Sequence, residues 1–440
     1  MKPIKRRSFL RRTGAAALLL AVPAAARRTA AAGDDADEDL LAQAREGIAR
    51  HRQAPATITV RDHRGRPVHG ATVRVEQLRH DFLFGCNCFN FAHLPTPELE
   101  EAYRARFAAL LNYATLGFYW PMYEPQRGVP LYNYTDQVLA WTRGQGIACK
   151  GHPLVWDFAD PKWLPREFAE IRALSHGRVH DCIARFKGRI NYWDVVNEPT
   201  ALGRFGTRLG EWAQSLGAVP YVKEHLRVAR DTAPDATFLV NDYRTDPPYF
   251  EILNALREDG RLIFDTIGIQ SHMHAGTWSL TETFKICDRH ARLGLPVHFT
   301  ETTIVSTLQP SGEKNWHPTS PEGEARQADY VPKFYTMLFG HPAVEAVTWW
   351  DFSDRNAWMG APAGLVRADM SPKPVYERLH ALIKGEWWTN TSGRTQANGE
   401  FRLRTFHGEH RITVEAPDGR TVSQAVRWSR GAEHRTFVIV

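Results

Sequence analysis

Tyr192-Trp193-Asp194-Val195-Val196-Asn197-Glu198-Pro199 decides how the chain is read. A largely apolar run of strand length ends on an amide, a carboxylic acid and a proline. A mostly continuous apolar run is what a strand buried on both faces requires, and the proline stops the ladder. The result is an ionisable side chain carried out of the end of a buried strand. Val297-His298-Phe299-Thr300-Glu301 has the same form further on.

Working outward, eight strand-like runs recur at 82–86, 113–120, 148–156, 190–197, 237–242, 266–272, 296–300 and 346–352, with helical patterns such as 97–112, 178–187 and 326–340 between them. Alternating strands and helices build parallel βα units, and eight units favour closure over an open sheet. The expectation is an α/β fold, a (β/α)8 TIM barrel over residues 81–385. A barrel needs about 250 residues, so a chain of 440 has room for small appendages.

Residues 34–52 are charged and alanine-rich, a linker or first helix. Runs at 57–60 and 71–75 flank the turn Asp62-His63-Arg64-Gly65-Arg66-Pro67 and predict an N-terminal β-hairpin, so 33–80 reads as linker or helix plus hairpin. From 386 to 440 short alternating strands are punctuated by Gly408 and Asp418-Gly419. This is a C-terminal all-β module, expected as a small sandwich beside the barrel with the hairpin as a candidate partner. Trp387, Trp388 and Trp428 read equally as sugar-facing or as packing residues.

The formal charge of +6 includes eight basic residues and no acid within residues 1–32, so the remainder carries −2. That balance excludes the concentrated basic surface a nucleic-acid partner needs. Residues 1–32 combine a basic start, an apolar run over 14–26 and small residues suited to cleavage, the layout of an export signal. Lys5-Arg6-Arg7-Ser8-Phe9-Leu10-Arg11 resembles a twin-arginine signal, which implies a periplasmic or extracellular destination. No later stretch reaches the ~20 apolar residues of a spanning helix, so no stable membrane insertion is expected. Cys86, Cys88, Cys149, Cys182 and Cys287 are too scattered for a disulfide scaffold and lack a zinc spacing. They read as small buried residues with room for one disulfide, and no metal or cofactor is expected.

In a barrel, polar residues that end strands gather at one mouth. Glu198 ends the fourth strand and Glu301 the seventh. Alone, each reads equally as a salt-bridged carboxylate. Together they suit glycosidic cleavage, in which one carboxylic acid protonates the leaving oxygen and the other attacks the anomeric carbon or activates water. Inward-leaning glutamates would close to the ~5–5.5 Å of retaining enzymes. Glu198 takes the acid role, with its proton held by burial and a neighbouring carboxylate, and Glu301 the nucleophile role. Asn197 is placed to hold a sugar 2-hydroxyl.

Trp193 through Pro199 resembles the acid/base signature of glycoside hydrolase family 10, the endo-β-1,4-xylanases. Gly151-His152-Pro153-Leu154-Val155-Trp156, Val240-Asn241-Asp242-Tyr243, Ile267-Gly268-Ile269-Gln270-Ser271-His272, Phe299-Thr300-Glu301 and Thr348-Trp349-Trp350-Asp351 through Trp358 resemble further motifs of that family, in order. The resemblance implies that His152, Trp156, Asn197, Gln270, His272 and Trp350 surround the sugar, with Tyr243 and Trp358 nearby. It also implies retaining hydrolysis of a β-1,4-linked polysaccharide or oligosaccharide, xylan or a decorated xylan, through a glycosyl intermediate on Glu301 and without a cofactor.

The sequence departs from that family in four places. Leu116-Gly117-Phe118-Tyr119-Trp120-Pro121 stands where the family supplies Glu, Asn and Lys, Asp157 where it has His, Ala159 where it has Gln, and Thr303 where an Asp supports the sixth-strand His. Two other readings therefore stay open: a related barrel glycosidase acting on a different β-glycan, and a catalytically silent carbohydrate-binding barrel. Oligomeric state is unread.

Overall fold

A computed structural model describes residues 31–309, 315–429, 431 and 433–439. The export-signal segment therefore lies outside the described residues except for its last two. The chain enters through helix α1 (Ala31–His51) and crosses strands β1 (Gln53–Asp62) and β2 (Thr72–His80). Eight strands follow, alternating with helices: β3 (Leu83–Asn87), β4 (Tyr113–Gly117), β5 (Ala148–His152), β6 (Tyr192–Asn197), β7 (Thr237–Asp242), β8 (Thr266–Ile269), β9 (Val297–Ile304) and β10 (Val344–Trp349). Each pairs in parallel with the next and β10 pairs back to β3, so the ring is closed. The fold is a (β/α)8 barrel.

Strand ends differ from the expected runs where the site forms. The second run stops at Gly117, and Trp120–Tyr123 turns into a short helix. The third stops at His152 and the sixth at Ile269, while the seventh continues to Ile304. There His272 and Met273 pair with Thr303 and Ile304, which lengthens the wall beside Glu301.

Burial explains the apolar runs. Every residue of β9, and all of β6 but the first, is shielded from water. Trp193 is fully buried in the barrel, and glycine on the adjacent strand makes room for it: a Cβ at Gly151 would stand 2.2 Å from the indole. The helix at Pro321–Gly340, here α2, packs on α1. The approach is close enough that a Cβ at Gly47 would stand 2.3 Å from the Gly340 carbonyl oxygen.

The β module corrects one expectation. Strands β11 (Asn390–Arg394), β12 (Glu400–Phe406), β13 (Gly408–Glu415), β14 (Thr421–Trp428) and β15 (Glu433–Ile439) form two sheets, ordered β12-β1-β15 and β11-β2-β13-β14. β1 and β2 are thus in different sheets and are not the paired hairpin the turn predicts. Only the tip closes locally, with Asp62 N donating to Arg66 O and Val68 N to Val60 O. Both strands point Ile58, Val60, Val73 and Val75 into one core with Ile412, Val414, Trp428 and Phe437. Two strands that cover the same core from opposite sides cannot also be neighbours in one sheet. Trp387 and Trp428 are buried, so both pack rather than face solvent. All five cysteines are buried free thiols, so no disulfide occupies the room left for one. Among the described residues, no helix is long and apolar enough to cross a membrane.

Candidate active site

Two local irregularities aim the glutamates. Glu198, immediately after β6, has φ 55° and ψ 51°, left-handed geometry unusual for a residue with a side chain. Such a conformation costs about 1–3 kcal/mol and persists only where the surroundings over-determine it. Here Glu198 N donates to Asn241 O (2.7 Å), and Pro199 opens a single 3-10 turn. Glu301 lies inside β9, where the register against β10 slips between Phe299 and Thr302. A bulge of this kind re-aims a side chain without ending the strand.

Between the two carboxyls runs a chain of amides. Gln270 Nε2 donates to Glu198 Oε1 and to Asn197 Oδ1, both at 3.3 Å. Asn241 Nδ2 donates to Asn197 Oδ1 and to Glu301 Oε1, both at 2.7 Å, and Asn241 Oδ1 accepts from the Thr300 hydroxyl (2.6 Å). The other Glu301 oxygen meets His272 Nε2 at 3.2 Å. Each amide has its orientation set by partners on both sides, which holds both acids in one geometry.

The two carboxyls are displaced in opposite directions. Burial pushes Glu198 up to about 8; the Arg204 guanidinium opposes this, and the negative charges of Asp242 and Glu301 add to it. Burial also acts on Glu301, but His152, His272 and Lys150 outweigh it and hold that carboxyl below its ordinary range. Lys150 and Asp194, both fully buried, form an ion pair (2.7 Å), and Asp194 also meets His152 Nδ1 (2.7 Å). His152 Nε2 then lies 3.8 Å from Glu301. The arrangement therefore holds one proton-bearing acid and one carboxylate at the same mouth.

The walls are aromatic. Trp350 meets His152 (5.3 Å between ring centroids), His272 (5.8 Å) and Phe89 (5.5 Å). Trp358, 41% exposed, lies over His272 at 4.6 Å. Across the mouth Trp156 stacks on Phe158 (4.6 Å), and Phe205 stands edge-on to both. Arg204 links this group to the acid: it pairs with Glu198 and lies over the rings of Phe205 and Tyr243. The structure thus gathers Glu198, Glu301, His152, Asn197, Gln270, His272, Trp350 and Trp358 in one contiguous cluster, with Trp156 and Tyr243 reached through Tyr119 and Arg204.

Sequence reasoning passed over Tyr119, Arg204 and Phe205. Tyr119 lies two residues past the end of the second strand, just before the short helix, 5.7 Å from His152 and 6.0 Å from Trp156. Burial pushes its hydroxyl well up, and the charges of Glu301 and Glu198 add to this. An aromatic ring thus faces the site where the family supplies polar groups; its place at the end of an apolar run was the available signal. Arg204 and Phe205 sit in an irregular loop with no signal at all. Thr303 bonds His272 Nδ1 (2.8 Å), the job the family gives to an Asp. Asp157 serves the loop instead, accepting from Gly203 N (2.7 Å), while its carbonyl accepts from the Thr207 hydroxyl (2.8 Å).

With this geometry in hand, comparison with known proteins is specific. The sequence model of Glycosyl hydrolase family 10 matches residues 81–382. Anti-sigma-I factor RsgI6 of Acetivibrio thermocellus is 28% identical over 402 residues, covering 89% of this chain and 48% of that protein. Endo-1,4-beta-xylanase 2 of Arabidopsis thaliana is 25% identical, covering 81% of this chain and 32% of that protein. Endo-1,4-beta-xylanase B of Thermotoga neapolitana is 28% identical, covering 67% and 86%. The chain therefore spans about half or less of the first two relatives and most of the third. Among solved structures, xylanase 10B from Thermotoga petrophila in complex with xylobiose superposes with a TM-score of 0.59 at 23% identity, covering 70% of this chain and 95% of that one, a likeness of fold. The chain belongs to glycosyl hydrolase family 10.

Proposed function

We propose that this chain is a retaining glycoside hydrolase that cleaves a β-1,4-linked polysaccharide, xylan or a decorated xylan, with Glu198 as general acid/base and Glu301 as nucleophile. The observation that carries this reading is a pair of buried carboxyls at one barrel mouth joined through Gln270, Asn197 and Asn241, whose surroundings favour the proton on Glu198 and the charge on Glu301. Near neutral pH Glu198 holds the proton that the glycosidic oxygen takes as its bond to the anomeric carbon breaks. Glu301, already a carboxylate, forms the new bond to that carbon. Glu198, now ionised, then takes a proton from the water that releases the sugar. Asn197 bonds the neighbouring hydroxyl, and Trp350 and Trp358 stack on the ring faces. His152, Gln270 and His272 orient the acids and bond hydroxyls, while Trp156 and Tyr243 extend the cleft.

Residues 1–32 serve as an export signal of the twin-arginine kind, residues 81–385 as the catalytic unit, and residues 386–440 together with β1 and β2 as an accessory β body. No cofactor takes part. Tyr119 in place of polar second-strand groups favours a second reading within the class, activity on a β-glycan other than plain xylan.

The test is trapping with a 2-fluoro xylobioside and a 2-fluoro cellobioside, followed by peptide mapping. A single adduct on Glu301, absent in Glu301→Ala, supports the reading, and the better probe identifies the glycan. If neither probe labels the protein although oligosaccharides bind, the silent carbohydrate-binding barrel becomes the better account.

A further inference from the structure

Arg204 stands out among the charged groups at the mouth. It follows Glu198 on a loop held firmly at both ends: Thr200 bonds Asp242 through its backbone N (3.0 Å) and its hydroxyl (2.8 Å), and Gly203 N bonds Asp157 (2.7 Å). The guanidinium rests on two rings, with its carbon 4.4 Å from the Phe205 centroid and 5.2 Å from that of Tyr243. Its side chain is 41% exposed, whereas its partner Glu198 is 8% exposed. Of its five N–H donors, only one, on Nη2, meets a partner among the described residues, and its single ion pair there is to Glu198. Asp157, an acid near enough to Arg204 to feel its charge, is turned to Gly203.

This partner is the carboxyl that must be neutral when the leaving oxygen is protonated. A guanidinium fixed on aromatic rings then keeps its position and loses its counter-charge. The second N–H of Nη2 stays free beside that of a neighbouring nitrogen, so one two-donor edge of the planar guanidinium remains on offer as a fork, the shape that receives a carboxylate in bidentate fashion. Arg204 contacts the acid and Tyr243 and none of the groups bonded to Glu301, which places the fork on the leaving-group side. Resting on the glycosidase reading above, we propose that Arg204 is a specificity-determining residue that binds the carboxylate of a uronic acid substituent on the leaving-group side of the glycan. The substrate's carboxylate replaces that of Glu198 as the counter-ion, so an acidic decoration is recognised in the same state in which the acid is ready to act.

The experiment compares a neutral xylo-oligosaccharide with the same oligosaccharide carrying one uronic acid. Binding is measured by calorimetry on the full chain in a Glu301→Gln background, with Arg204 and with Arg204→Gln; turnover is measured with Glu301 intact. With Arg204 present, the acidic ligand should bind ~10-fold more tightly, an advantage that shrinks with added salt, and Arg204→Gln should remove it. An affinity ratio that is equal in both proteins, a ratio near one with Arg204 present, or no binding of either ligand overturns the proposal. Failure of the intact chain to hydrolyse either oligosaccharide counts against the glycosidase reading, while the binding ratio still judges Arg204 by itself.

Discussion

Gly268 and Asn241 lie opposite each other on adjacent barrel strands, so close that a Cβ on Gly268 would stand 2.6 Å from Asn241 Oδ1 and 3.0 Å from the Val240 carbonyl oxygen. Asn241 is the amide that bonds both Asn197 and Glu301. The absence of a side chain at 268 is thus a condition for the network between the carboxyls. Gly268→Ala should push Asn241 off its partners and lower kcat by roughly 10–100-fold, because small misplacements at a reacting centre are costly. Kinetics beside a thermal melt check this; a variant as active as the parent would mean that the amide chain tolerates displacement.

The opposed carboxyls set the pH dependence. Activity should be lost as pH rises through about 8, where Glu198 gives up the proton that the leaving group needs. It should persist well into the acid range, because Glu301 is held below its ordinary range. Glu198→Gln should lower kcat/KM by about 10²–10⁴-fold on substrates with poor leaving groups, spare the first step on activated aryl glycosides and remove the alkaline limb. A profile of kcat/KM over pH 4–10 for both proteins decides the assignment.

Stability should move with the same proton. Folded Glu198 holds its proton up to about 8, whereas the unfolded carboxyl loses it near 4.5. The stability this contributes is fully present below about 4.5 and is lost as pH rises through about 8. Glu198→Gln cannot ionise, so it should melt higher than the parent by a few °C at about pH 9 and show little such gain near pH 4. A melting difference that stays constant between those pH values would contradict the buried, proton-bearing acid.

Thr303 supports His272 through a neutral hydroxyl. Thr303→Val removes the bond and leaves the shape, so Nδ1 loses a buried partner and the ring is freed to turn from Glu301. We expect kcat to fall about tenfold with little change in KM, a loss near 1.4 kcal/mol. Steady-state kinetics on one substrate suffice, and an unchanged kcat would show that Trp350 and Trp358 hold the ring without help.

The sandwich should be separable in its energetics from the chemistry. Trp428 is fully buried in a core distinct from that of the barrel. Trp428→Ala should destabilise this body by about 3–5 kcal/mol and expose β14 to early proteolysis. The barrel's catalytic parameters should stay within about twofold below its melting point. Limited proteolysis and an activity assay on the same sample test both halves of the claim.

The barrel was legible because its signals are local. Strands buried on both faces need continuous apolar runs, and residues such as Glu198 and Glu301 that end or interrupt them stand out against that background. β1 and β2 were misread for the converse reason. A turn such as Asp62 through Pro67 shows where a chain reverses, but not whether the strands then share a sheet, and that depends on β12 and β15, more than 300 residues away. Arg204 was missed because no periodic pattern marks a loop residue that meets a distant side chain, and Tyr119 because its place at the end of an apolar run does not show which way its ring turns.

By itself the sequence determined the alternation of eight buried strands with helices, the family motifs and the pair of acids that end or interrupt the fourth and seventh strands, since apolar periodicity and its interruption are written in neighbouring residues. The tertiary structure alone supplied the groups that displace the two carboxyls in opposite directions. Burial, with Asp242 and Glu301 adding and Arg204 opposing, raises Glu198, while His152, His272 and Lys150 outweigh burial at Glu301. Charge acts through space, and only the closed ring brings these groups within its reach.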